Sequence, residues 1–548
     1  MTPATNSTGL RYWMHRVLEE CENVEHDFSA DPVHDLRVSL RRCRSMADGM
    51  MAMDPDDNWK TMKKAGKKLF QSLGNLRDVQ IMMEWLEKLD VASIHVERTP
   101  TPTSGQEQSS ESSDTANQQP TVSKHPAHAL DEILKSRENS HKHEARAALA
   151  EFDRKQWKQW SNSLPQRAAR IRPGSAVFKH LALERWTAAR ELHVRAMRIR
   201  SQIALHTLRI GIKRFRYIVE NFLPEEHKLW SNGLKHMQDL LGEVHDLDVL
   251  WATTLDCHIF NDDVSKNAWH ERILEARTKR VDEYRSRTTG PDSLWNVWRA
   301  GLPQGKQIKD IATRRLKLWA KALDPDSAHS ERVSRFSLEL FNGLTAGGLL
   351  NSKSVSSAEN SQEDARSILQ AAALLHDVGM SKGNKKHHKE SYELIKKHGT
   401  PLGWKPEVMS QAALVARFHC KALPTRSHKL LRDLLPDDQK QVIRLAAILR
   451  LANALDNDHD GSVRRVKIDD LDTTKRRTNG FLRKPTPLGK NEAIVIAAEG
   501  YKEGSATAQA VASERFLLET LLRRPVLVKS APTVGPASTR RAANRLAK

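Results

Sequence analysis

Apolar positions recur three and four residues apart through most of the 548-residue chain, the spacing of amphipathic helices. Leu10–Val24 (LRYWMHRVLEECENV) and Glu184–Ile199 (ERWTAARELHVRAMRI) are typical. Period-two patterning of the strand kind appears only late, at 462–470 (SVRRVKIDD) and 491–500 (NEAIVIAAEG). The expected fold is therefore mainly α, with those two segments pairing as a small hairpin beside helices. Three stretches interrupt the helical pattern. Residues 99–128 are rich in Ser, Thr, Gln and Pro and nearly empty of large apolar side chains, so they are expected to form a flexible insert. Residues 351–364 (NSKSVSSAENSQED) read as a shorter polar insert, and 523–548 as a basic disordered tail.

Internal repetition organises the first half. VHDLRVSLRRCRS begins at Val33 and LHTLRIGIKRFRY at Leu205, offset by 172 residues. LGNLRDVQIM from Leu73 and LGEVHDLDVL from Leu241 follow in the same order, offset by 168. Two matched motifs in one order predict a duplicated helical unit over about the first 300 residues. At about 100° per residue, His34, Arg37, Arg41 and Arg44 fall on one helix stripe, and His206, Arg209, Lys213 and Arg216 repeat it. Arg42 and Arg214 stand beside these stripes. Lys60, Lys63, Lys64, Lys67 and Lys68 form another cationic face, and Lys228, Lys235 and His236 lie in the corresponding part of the second repeat.

Composition agrees and narrows the choice. Lys and Arg number 88 against 68 Asp and Glu, a formal charge of +20, with 39% hydrophobic and 28% charged residues. The chain is thus globular with a polyanionic partner, not a disordered polycation. No apolar run is long enough to span a membrane, and the first residues lack a signal-peptide pattern. Four separated cysteines without a CxxC pair are expected to exclude a disulfide framework and a thiolate zinc site, and predict a reducing cytoplasm. A single basic run is most simply a solvated helix face. Its recurrence in both repeats with few acidic i+4 partners favours an anion between the stripes, because like charges so close destabilise a helix. Arginine supplies bidentate phosphate recognition and lysine point charges. Nucleic acid is disfavoured as the specific ligand: aromatics are 5% of the chain and are not interleaved with the stripes for base stacking.

The first half resembles the CHAD family, the conserved histidine α-helical domain. The resemblance is carried by His34, Arg37, Arg41, Arg42 and Arg44 with Leu73-Gly74 and Arg77-Asp78. In the second repeat it is carried by His206, Arg209, Lys213, Arg214 and Arg216 with Leu241-Gly242 and Asp246. It implies two antiparallel helical bundles over residues 8–300 and a basic channel that binds inorganic polyphosphate. Lys64, Lys67 and Lys235 are expected to add to that channel. Lys213 in place of an arginine and His245 opposite Arg77 are mild departures.

Beyond residue 325 a different pattern begins. His329 opens one helix, His376-Asp377 closes an apolar one (LQAAALLHDVGM), and His387-His388, His419 and a long helix with Asn453 and Asp456 follow. Histidines and a carboxylate at helix ends can converge on a divalent ion, which polarises phosphoryl oxygens and acidifies a bound water. Residues 325–522 resemble HD-type metal-dependent phosphohydrolases, specifically the C-terminal domain of the exopolyphosphatase and guanosine-pentaphosphate phosphatase family. That resemblance implies His329, His376, Asp377, His388, His419 and Asn453 as ligands of a divalent metal such as Mn2+ or Mg2+, with His376 and Asp377 at the catalytic centre. Asn453 stands where the HD pattern has an aspartate, Asp456 one turn later is an alternative, and Glu390 stands where the family often has a histidine. Two functions follow as expectations. One is a polyphosphate-binding protein that hydrolyses phosphoanhydrides or phosphoesters. The other is a non-catalytic polyphosphate scaffold, on granules, with a degenerate HD module.

Overall fold

Helices form wherever the three- and four-residue periodicity runs. The computed structural model describes residues 9–96, 126–199, 201–350, 358–469 and 493–531, and the chain divides between Gln304 and Gly305 into two units. Among the described residues no helix is long and apolar enough to cross a membrane.

The first unit contains α1 (Leu10–His26), α2 (Ala30–Met51), α3 (Asp57–Ala65), α4 (Lys67–Val96), α5 (Pro126–Ala150) and α6 (Arg154–Ala168). It continues with α7 (Ala176–Ile199), α8 (Gln202–Phe222), α9 (Pro224–Asp256), α10 (Asp263–Thr288) and α11 (Leu294–Ala300). The packing is duplicated. α1 lies against α2 and α6, α2 against α4, and α4 against α5; α7 lies against α8 and α11, α8 against α9, and α9 against α10. The halves meet where α2 packs on α8 and α4 on α9. At the α2–α8 contact, Gly49 sits so close to the Phe222 ring that a Cβ there would come within 2.3 Å of it. A third repeated feature anchors each half. Trp157 and Trp160 on α6, and Trp295 and Trp298 on α11, are buried pairs three residues apart. Truncating such a side chain costs about 3–5 kcal/mol.

The second unit comprises α12 (Lys306–Leu323), α13 (Ser327–Ala346), α14 (Ala358–Leu375), a short 3-10 turn at Val378–Lys382, α15 (His387–His398), α16 (Pro406–Arg417) and α17 (Pro436–Ala454). β1 (Arg465–Asp469), β2 (Ile494–Glu499), α18 (Ala506–Leu522) and β3 (Val526–Ala531) complete it. α12, between the two sequence-defined segments, packs on α14. α17 is the centre: from Val442 to Leu455 nearly every residue is buried, and α13, α14, α16 and α18 all pack on it. Its one buried cation, Arg450, is satisfied by Glu514 Oε2 at 2.6 Å and the Phe418 carbonyl at 3.0 Å, as a buried charge must be.

Three expectations are corrected. The core of the 99–128 insert, residues 99–125, lies outside the described residues, but α5 already begins at Pro126, which the first helical turn tolerates because its N–H has no partner there. Of the 351–364 insert, residues 351–357 lie outside, while α14 starts at Ala358. Its polar face is used, since Glu363 binds Lys309 at 2.8 Å and Asp364 binds Lys405 at 2.6 Å. The tail is a turn at 523–525 and strand from Val526 to Ala531, with 532–548 outside the described residues. β1 and β2 pair antiparallel as the hairpin reading expects, and β3 joins β2 in parallel, Ile494 facing Val526. In VLVKSA only Val526 is buried and Val528 half-buried, with Leu527, Lys529 and Ser530 exposed, so the period-two signal is confined to the first residues beside the neighbouring arginines.

Candidate functional site

Two constellations emerge, one in each unit. In the first, α2 and α8 present equivalent stripes, and Arg37, Arg41, Arg209 and Lys213 lie close enough to act on one another's charge, together with Asp78 of α4 and Asp246 of α9. Burial and then Arg209, Arg41 and Arg37 push the Lys213 amine down to about 8. Burial lifts the Asp246 carboxyl to about 6 against the pull of Arg209, with Asp78 adding to the rise. Among the described residues the only carboxylate contact of Arg37 is long, 3.8 Å to Asp78 Oδ1. Among the described residues Arg41, Arg209 and Lys213 form no salt bridge. Arg41 also leaves its buried Nε, and its neighbour Tyr217 its buried hydroxyl, without a hydrogen-bond partner. Cations are thus crowded with too few anions among them.

The remaining predicted residues divide. Arg42 is committed to the protein, bound to Glu220 across the repeat boundary, with Asn221 Oδ1 at 3.4 Å and its guanidinium over Trp13. Arg44 donates to the Lys63 carbonyl and lies over Phe70, and Arg216 faces Glu220 at 3.7 Å. Lys64, Lys67, Arg214, Lys235 and His34 are exposed. Desolvation, then Arg77, lowers the pKa of His34. His206 sets its Nδ1 3.2 Å from Nδ1 of His245, whose imidazolium is disfavoured by burial and Arg209, down to about 4.

In the second unit the histidines gather on Asp377. α14 ends at Leu375, so His376 and Asp377 project from its C-terminal end. Gly379 then passes so close to α15 that a Cβ would stand 2.1 Å from the His387 carbonyl. Its N–H donates to Ser391 Oγ at 2.9 Å, and Ser391 donates to the His376 carbonyl at 2.6 Å. That clamp brings α15 to Asp377. Nε2 of His376 lies 3.4 Å from Asp377 Oδ2, and Nε2 of His387 and of His419 each 3.4 Å from Oδ1. The Nε2 atoms of His387 and His419 are themselves 3.1 Å apart.

All three rings are oriented alike. Nδ1 faces the carbonyl three residues back: Ala373 at 2.8 Å, Asn384 at 3.0 Å and Ala416 at 2.8 Å. An N–H donated there leaves each Nε2 as a lone pair aimed inward, the outer-sphere arrangement that readies a histidine for a metal. Burial disfavours the charged form of His376, and of His419 still more. Burial also opposes charge on Asp377, but His376, His419, His387 and His329 outweigh it and hold the carboxyl at about 2. An anionic carboxylate among inward lone pairs, with His376 Nε2 and Asp377 Oδ1 buried and without a hydrogen bond, is a donor set that fits a divalent cation.

His329 completes one side. The Asp326 cap of α13 binds its backbone N–H at 3.1 Å, and with His376 and Asp377 it forms one group of donors within 4.8 Å. Its Nδ1 lies 2.7 Å from Asp456 Oδ2 and its Nε2 2.9 Å from Asn453 Oδ1. Arg332 donates to both Asp456 oxygens. Asp456 therefore stands behind His329 as its orienting partner, and Asn453 occupies the inward side. Of the adjacent pair, His387 and not His388 reaches Asp377. His388 shares its helix face with buried Ser391 and Ile395, and burial followed by Arg417 lowers its pKa to about 4. Cys420, with Sγ 3.8 Å from His387 Nε2, joins His387 and His419 in a second group within 4.8 Å. The sequence pointed to the His387-His388 pair but the resemblance assigned only His388 as a ligand, and Cys420 was not assigned at all; the period of α15, which turns His388 toward the core, is the signal that separates the two histidines.

Comparison with known families agrees with this division. Residues 10–254 match the CHAD domain model, and residues 311–495 match domain III of the Ppx/GppA phosphatase. No curated protein matches the chain.

Proposed function

We propose that the chain is a polyphosphate-handling protein. In this reading the first unit holds linear polyphosphate along Arg37, Arg41, Arg209 and Lys213, and the second is an HD-type phosphohydrolase acting on phosphoanhydride or phosphoester bonds. The observation that carries the reading is the convergence of three Nε2 lone pairs on the Asp377 carboxylate, each ring tethered through Nδ1. The CHAD and Ppx/GppA matches support it.

His329, His376, Asp377, His387 and His419 would hold divalent ions, with Asp377 shared between the two groups. Such ions supply Lewis-acid polarisation of a phosphoryl oxygen and acidify water. The chain's own residues orient the site: Asp456 and Arg332 fix His329, and the Ser391–Gly379 clamp holds Asp377 against α15. Lys389, Arg417 and Lys421 place positive charge near His388 and Cys420, a field that favours an anionic substrate.

In the first unit, crowded cations with orphaned donors are stabilised by an anion that runs past several of them, which favours a flexible phosphate chain over a rigid duplex. The test is competition between long-chain polyphosphate, duplex DNA and RNA at fixed moderate salt, with an Arg37→Glu, Arg209→Glu double variant beside it. The wild type is expected to prefer polyphosphate and the variant to lose binding while keeping its helical circular dichroism. Equal or weaker binding of polyphosphate would overturn the first half of the reading.

A second reading rests on Asn453. A neutral amide on the inward side of His329 brings no charge to a cation, which suits a non-catalytic polyphosphate scaffold with a degenerate HD module. Metal analysis of the purified protein separates the two.

A further inference from the structure

Cys420 is the only cysteine of the second unit, and it stands directly after His419 at the end of the segment that leaves α16. Cys420 is partly buried, as is His387, and both stand beside the buried His419 with its contact to Asp377. The separations have the form of a coordination sphere waiting for its centre. His387 and His419 Nε2 are 3.1 Å apart, each is 3.4 Å from Asp377 Oδ1, and Cys420 Sγ is 3.8 Å from His387 Nε2. Zinc bonds of ~2.0–2.1 Å to nitrogen and ~2.3 Å to sulfur place tetrahedral ligand atoms about 3.3 Å apart for N–N and about 3.6 Å for N–S. Hydrogen bonding does not account for the arrangement: with Nδ1 donating to the Asn384 carbonyl, His387 Nε2 has no proton to give to His419.

Resting on the reading of this unit as a metal centre, we infer that the position formed by His387, His419 and Cys420, with Asp377 shared, is a mixed nitrogen–sulfur site. It selects a thiophilic divalent ion, Zn2+, Co2+ or Fe2+, over Mg2+. The position formed by His329, His376, Asp377 and Asn453 offers only nitrogen and oxygen. The two positions thus differ in softness, and the centre is heterometallic by design of its donors. On binding, the thiol releases its proton and the sulfur becomes a ligand.

The test uses the full chain, stripped with chelator and titrated with Co2+. A thiolate-to-cobalt charge-transfer band in the near ultraviolet is expected, and Cys420→Ser should abolish it while circular dichroism stays unchanged. Zn2+ affinity should fall about tenfold or more in that variant, with Mn2+ affinity altered less than twofold. A measurement on the unaltered protein guards against misfolding of the variant: Zn2+, but not Mg2+, should protect Cys420 from alkylation, read by peptide mass mapping. Cobalt bound without the thiolate band, or with a band that survives Cys420→Ser, overturns this inference and leaves the metal centre standing. No cobalt bound at all overturns both.

Discussion

Lys213 provides a test in which folding and binding move in opposite directions. Its amine is held at about 8 rather than 10.5 by burial and by Arg209, Arg41 and Arg37. A base whose folded pKa is lowered destabilises the fold: the penalty is complete below about pH 8, shrinks between about 8 and 10.5, and is gone above. At pH 7 the depression corresponds to about 3 kcal/mol at most. Lys213→Met keeps the aliphatic stem and removes the charge. The ligand-free first unit is therefore expected to gain about 1–3 kcal/mol at pH 7 and under about 1 kcal/mol at pH 10. Polyphosphate affinity should weaken about tenfold, the worth of one charge-assisted hydrogen bond. Urea unfolding followed by tryptophan fluorescence reads the first unit selectively, because every tryptophan except Trp319 and Trp404 lies there. A variant that is destabilised at pH 7, or stabilised equally at both pH values, would refute the picture of a strained cationic cleft. So would unchanged polyphosphate affinity.

Other perturbations address the remaining contacts. Glu220→Gln removes the buried partner of Arg42 and should cost about 3–5 kcal/mol in the first-unit unfolding transition; a loss under 1 kcal/mol would mean that this link between the repeats is slack. Gly379→Ala forces a Cβ against the His387 carbonyl, an overpacking of about 1–3 kcal/mol. It should lower bound metal by mass spectrometry more than it lowers helicity, and full metal content would contradict the clamp. Asn453→Asp adds a carboxylate on the inward side of His329, so Mn2+ affinity should rise about tenfold or more; no gain in a metal titration would remove Asn453 from the site.

How far the sequence reached depended on whether a residue's role is set by its own helix or by another element. The duplicated stripes were legible because His34, Arg37, Arg41 and Arg44 recur as His206, Arg209, Lys213 and Arg216 on a single helical period. The crowding of Arg37, Arg41, Arg209 and Lys213 could only be suspected, since it requires α2 to pack on α8. Arg42 looked equivalent to Arg41 until Glu220, 178 residues away, claimed it. His376 and Asp377 stood out at the end of an apolar helix, yet the choice between His387 and His388 turned on which face of α15 meets the core. Cys420 carried no pattern at all: a single thiol becomes a ligand only through the fold that brings His387 beside it. The paired tryptophans of α6 and α11 escaped because the long insert in the first half shifts their offset away from that of the basic motifs.

The activity proposed for the histidine–aspartate centre is hydrolysis of phosphate bonds with a divalent ion. Phosphate release from long-chain polyphosphate, and from nucleotide and phosphoester controls, is therefore to be measured at defined Mn2+ or Mg2+ for the wild type and Asp377→Ala, with bound metal determined on the same samples. Metal-dependent release by the wild type is expected, with loss of both metal and release in a folded Asp377→Ala protein. A wild type that binds no metal and releases no phosphate would contradict it.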